Sequence, residues 1–72
     1  MQITVNEPGA RTINDARPMR IDGQPVYVVV DSTASLFVGG RLVDVRKVSE
    51  VASTADAQAW AVEYRNLSLI HI

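Results

Sequence analysis

The chain has 72 residues, 47% of them hydrophobic and 21% charged, a globular composition rather than a disordered one. Seven basic against eight acidic residues, interleaved along the chain, give a net charge of -1 and no basic stripe, which excludes phosphate-driven nucleic-acid binding as the expected function. With no Cys and one His there is neither a disulfide nor a zinc cluster to support a domain that buries only roughly 60% of its unfolded surface. A protein partner or a homo-oligomer is therefore expected, and no cofactor. No apolar run approaches the roughly 20 residues of a membrane span, and Met1 to Val5 lack the n-region and h-region of a signal peptide. The expected location is cytoplasmic, with no membrane partner.

Gln2 to Val5 alternate polar and apolar residues, predicting a short first strand ended by Pro8-Gly9. Ala10 to Arg17 show no period, and Asn14-Asp15 is a turn signal, so this segment is predicted to be loop. Met19–Ile21 and Val26–Val30 are apolar runs joined through Asp22-Gly23, a dipeptide that favours a tight hairpin turn. Pro25 cannot donate to a ladder and is expected on an edge or at a strand's first residue. Tyr27 to Val30 are continuously apolar, predicting a central strand covered on both faces.

Asp31 to Ser35 read as a turn, and Leu36–Val38 with Arg41–Val48 as a second hairpin about Gly39-Gly40. In its second arm Val43 and Val45 are expected on one side and Asp44 and Arg46 on the other. From Ser53 the period becomes helical. Ser53 and Asp56 have capping-box spacing, and Ala57, Trp60, Ala61 and Tyr64 form one apolar stripe, predicting a helix over about Thr54 to Asn66.

The last residues, Leu67 to Ile72, admit two readings. As native protein they form a final strand, reached without a Gly or Pro after the helix. The same six residues resemble a translated sequencing adapter, the mosaic end that transposase-made libraries attach to fragments: CTG TCT CTT ATA CAC ATC encodes Leu-Ser-Leu-Ile-His-Ile. On that resemblance residues 67–72 are a non-native tail, His71 carries no meaning, and residues 1–66 are one small domain or the N-terminal part of a longer protein.

Candidate chemistry is sparse. Asp31, Thr33 and Ser35 resemble the Asp-x-Ser-x-Ser metal-adhesion signature of von Willebrand A-type domains, whose carboxylate and hydroxyls supply hard oxygen ligands to magnesium. Thr33 departs from that pattern, and the strand predicted at Leu36 stands where the signature needs a helix. A turn capped by the Asp31 side chain is the favoured alternative. Gly39-Gly40 lacks P-loop spacing. Arg17, Arg20, Arg41 and Arg46 could bind a carboxylate or phosphate, but Asp15, Asp22 and Asp44 beside them favour ordinary solvated surface. Trp60 and Tyr64 are the interface candidates, against the alternative that they close the core. With His71 set aside, no Ser/His/Asp, Cys/His or acid-pair set remains.

The stretch Ala16 to Val48, containing "ARPMRIDGQPVYVVVDSTASLFVGGRLVDV", resembles short β modules of small virion-associated proteins of tailed bacteriophages, in which an Arg-Pro-x-Arg segment leads into a Gly-x-Pro-Val-Tyr-Val-Val strand. That resemblance implies a virion location and a decoration, head-fibre or tail-associated role with assembly through sheet edges or apolar faces. The expected fold is α+β, a hairpin-rich antiparallel sheet of four or five strands with one C-terminal helix from about Thr54. The expected function is a non-enzymatic structural or protein-interaction module. The alternatives are the N-terminal fragment of a larger enzyme or ligand-binding protein, and a small regulator or inhibitor.

Overall fold

A computed structural model describes residues 1–7, 9 and 17–70, with side chains through Leu67. The strands are β1 (Gln2–Thr4), β2 (Arg20–Ile21), β3 (Gln24–Val30), β4 (Ala34–Val38) and β5 (Arg41–Arg46). A 3-10 turn at Val48–Glu50 leads to helix α1 (Thr54–Ile70). All pairings are antiparallel, in the order β1-β3-β4-β5 with β2 also on β3. This is the expected α+β arrangement, with the helix beginning at the expected residue.

Both hairpins turn as their dipeptides predict. Asp22 and Gly23 have φ of 53° and 78°, and Gly39 and Gly40 of 60° and 80°. Two successive left-handed residues give a turn whose twist matches that of the flanking strands. The row beside β3 is built from two separate segments. β1 pairs Gln2 with Val29 and Thr4 with Tyr27, and β2 then pairs Arg20 with Pro25 and Ile21 with Gln24. Between them the Val26 carbonyl accepts from the Val5 N–H at 3.4 Å, and its N–H donates to Met19 at 3.3 Å. The intervening excursion is closed at its stem by the Asn6–Pro18 bridge and by the Glu7 N–H donating to the Arg17 carbonyl at 2.6 Å. The predicted loop over Ala10 to Ala16 lies outside the described residues.

The core lies between α1 and one sheet face. Val26 and Val28 of β3, Ala34 and Leu36 of β4, Met19 and Val5 are buried against Ala57, Trp60 and Ala61. Burying each of the larger side chains contributes about 1.5–3 kcal/mol relative to exposure, which is why the helix seats on this face. The helix start is capped as its spacing predicts: the Asp56 N–H donates to Ser53 Oγ at 3.2 Å. The Asp56 carboxylate reaches back to the Ala52 N–H at 3.0 Å, one residue before the cap.

Four expectations need correction. Pro25 is neither on an edge nor first in its strand; it is the second residue of β3, which has neighbours on both sides. Its carbonyl accepts from Gly39 at 2.8 Å, so the missing donor falls at the hairpin mouth, where the ladder ends anyway. Tyr27 to Val30 are central in pairing but, among the described residues, covered on one face only: Val28 is fully buried, while Tyr27 and Val29 are half-buried on the far side. In β5 the register slips, Leu36 opposing Asp44 and Phe37 opposing Leu42, so that Val43 is an extra residue. A bulge of this kind breaks the alternation. Val43 joins the core, Asp44 and Arg46 reach Trp60 on the same side, and Val45 turns outward with Leu42. Finally, Asn66 does not end the helix, nor do Leu67 to Ile70 form a strand; α1 continues through Ile70. Nothing after Asn66 supplies the left-handed Gly that stops a helix, and Leu is a good helix former.

Candidate interaction surface

On the covered side β5 and α1 are tied together by polar groups. Trp60 is 1% exposed, and its Nε1 donates to Asp44 Oδ2 at 2.9 Å. The other carboxylate oxygen of Asp44 accepts the Val45 N–H at 2.9 Å. The Arg46 guanidinium lies 5.0 Å from the Trp60 ring centroid and donates to Glu63 Oε2 at 3.1 Å. A second tie, Arg65 to Glu7 at 2.9 Å, holds the helix to the stem of the excursion. Trp60 is thus part of the core and offers no outward surface, because its ring and its N–H both have partners within the chain. Tyr64 is half-buried farther along α1, packed against the core.

The far side of the sheet has no second layer among the described residues. Its side chains line up in two rows that cross four strands. Thr4, Tyr27, Phe37 and Leu42 make one row, and Gln2, Val29, Ser35 and Val45 the other. Tyr27 and Phe37 are directly opposed, with ring centroids 5.1 Å apart and planes inclined by 10°. At the β5 end Leu42 is 52% and Val45 50% exposed. Neither row contains a charged residue, although 21% of the chain is charged. Arg20, on β2 at the turn end, donates from its guanidinium to the Gly23 carbonyl at 2.8 Å. The face is therefore aromatic and aliphatic at its centre and on the β5 side, and uncharged but polar at Gln2, Thr4 and Ser35. The sequence carried a signal for it in the unbroken Tyr27–Val30 run and in Phe37 and Leu42, which the two-residue Gly39-Gly40 turn sets opposite one another, whereas Val45 comes to this face only through the bulge.

The remaining candidates do not converge. Asp31 and Thr33 are exposed in the β3–β4 turn, while Ser35 belongs to the open face. The turn is closed through the main chain, the Asp31 N–H donating to the Thr33 carbonyl at 2.9 Å, rather than by the Asp31 carboxylate. Among the described residues no group of three or more His, Asp or Glu is placed to hold a metal. Arg46 sits against Trp60, Arg20 at the turn end of the open face, and Arg17 at the stem of the excursion, so these cations do not share a surface. Arg41 lines a recess of about 600 Å³ at the hairpin tips, floored by Ile21, Val38 and Val43 and rimmed by Asp22, Gln24 and Tyr64. His71 lies outside the described residues. No helix among them is long and apolar enough to cross a membrane.

No family model, curated protein or solved structure matches the chain.

Proposed function

We propose that the chain is a non-enzymatic structural or protein-interaction module whose working surface is the open face of the sheet. The carrying observation is the pair of uncharged cross-strand rows with the Tyr27–Phe37 stack at their centre. Apolar surface gathered into one patch and rimmed by polar groups is the usual form of a protein contact site. The absence of charge on the rows disfavours nucleic acid or an anionic ligand as the occupant. The resemblance of Ala16 to Val48 to virion-associated modules adds assembly within a phage particle as the setting.

The test is the uptake of an environment-sensitive dye, anilinonaphthalene sulfonate, by the chain at below about 1 µM, where contacts between copies are negligible. The chain is expected to bind the dye, and Leu42→Lys with Val45→Lys to abolish binding while keeping the native circular dichroism and cooperative melting. No binding by the parent chain, or equal binding by the variant, refutes the proposal.

The recess beside Arg41 supports a second reading, a ligand-binding part of a larger protein. Its volume is within the range of small-molecule sites, and its apolar lining carries one cation, Arg41, and one carboxylate, Asp22, a pair that suits a small zwitterion with an aliphatic body. Titration with short aliphatic amino acids, followed by the amide resonances of Gly39 and Tyr64, tests it; unmoved resonances at about 10 mM remove it.

A further inference from the structure

We infer that the occupant of the open sheet face is a second copy of this chain, packed face to face about a two-fold axis. The inference rests on the reading of that face as the working surface.

Three features favour a copy over another partner. The first is self-complementarity. A two-fold contact presses the same patch against itself, so each residue must tolerate its own surroundings on the partner. The two rows meet that condition: the Tyr27–Phe37 stack lies on the two central strands and no residue of either row is charged, Arg20 lying beyond the rows at the turn end of the face. Stacked sheets pack about 10 Å apart with strand directions within about 30°, which places the aromatic stack of one copy over that of the other.

The second feature is electrostatic. With a net charge of -1, two copies approach without appreciable repulsion, and the charged groups that tie β5 to α1 are on the opposite face. The third is size. The open face is small, eight side chains in two rows with Leu42 52% and Val45 50% exposed, which puts a contact through it at the small end of specific interfaces. An area of that size makes a reversible dimer. It also supplies the apolar burial that a 72-residue chain without Cys cannot obtain from disulfides.

Sedimentation equilibrium of the intact chain between about 1 and 500 µM tests the inference, with dye uptake followed over the same range. The expected result is a rise from the mass of one chain to that of two, with dye uptake per chain falling in step. Leu42→Lys with Val45→Lys is expected to remain at the mass of one chain throughout, with unchanged circular dichroism. Should that variant lose its fold, Ser35→Glu, which places a charge between the rows, substitutes for it and is expected to weaken association at least tenfold. A parent chain that stays single to 500 µM yet binds the dye when dilute overturns the second copy, while the face remains a contact site for a different occupant. Equal dimerisation of parent and variants assigns association to another surface and also overturns it. Failure of the dilute chain to take up dye counts separately, against the face itself.

Discussion

The bond between Trp60 and Asp44 gives the sharpest prediction about what holds the helix on the sheet. Asp44→Ala removes the acceptor from an indole whose residue is 1% exposed, so the freed N–H is left buried without a partner. A hydrogen bond to a charged group contributes about 1.5–3 kcal/mol. Because Asp44 itself is only half-buried, a loss of about 2 kcal/mol is expected, in the lower half of that range. For a domain of 60–100 residues each kcal/mol displaces Tm by about 4–8 °C, so the variant should melt about 8–16 °C below the parent. Asp44→Asn keeps an oxygen at the same place and is expected to recover roughly half of the loss. In a Trp60→Phe background, where there is no donor to orphan, Asp44→Ala should cost at least 1 kcal/mol less, the remainder reporting the lost acceptor for the Val45 N–H. Thermal melts followed by far-ultraviolet circular dichroism supply all four corners of the cycle. An Asp44→Ala variant melting within about 3 °C of the parent, or an equal loss in both backgrounds, refutes the bond as a determinant of stability.

Three further tests probe other parts of the fold. Ser53→Ala deletes the cap on the Asp56 N–H and should lower stability by about 1 kcal/mol in chemical denaturation, with Ser53→Asp retaining most of it. Gly39→Ala places a Cβ 2.8 Å from Gln24 Oε1 at a φ of 60°, so it should cost about 1–2 kcal/mol; part should return when Gln24→Ala removes Oε1 and Cγ, while the contact at 3.1 Å with the Cβ of residue 24 and the backbone part should remain. Arg65→Ala and Glu7→Ala each break the tie between helix and excursion. Their side chains are 30% and 40% exposed, so the coupling in a double-mutant cycle should stay below about 1 kcal/mol and vanish near 1 M salt.

The elements governed by short-range chemistry were legible in the sequence. Asp22-Gly23 and Gly39-Gly40 turn where their conformational preferences require, and Ser53 with Asp56 marks the start of α1 because capping is decided within one helical turn. What escaped depended on partners distant in sequence. The bulge at Val43 is what turns Asp44 and Arg46 to the side of Trp60, and nothing within Arg41–Arg46 announces it. The continuation of α1 through Ile70 was hidden because a short, mostly apolar run such as Leu67 to Ile72 fits a strand as well as a helix. The role of Trp60 was ambiguous for a similar reason: an aromatic on an Ala-rich stripe serves a core or an interface equally well, and burial against β5 decides for the core.

The most informative mismatch concerns β3. A strand of the type Tyr27-Val28-Val29-Val30 is written for cover on both faces, since each alternate residue is apolar and neither face is marked for water. Had the strand evolved against one layer only, Tyr27 and Val29 would carry no constraint to be apolar, and Phe37 and Leu42, which continue the Tyr27 row, and Val45, across Ser35 from Val29, would be free to be charged. Instead all five are apolar, with Ser35 the one polar residue among them on β3 to β5. An exposed apolar residue standing singly needs no explanation, but a row that stays apolar across three adjacent strands does. The helix supplies one layer of cover, and the apolar side chains on the other face are the ground for proposing a second. Lysines at Leu42 and Val45 therefore strike the proposed contact without entering the core, and a stable fold combined with lost association is the outcome that separates a docking face from a merely sticky one.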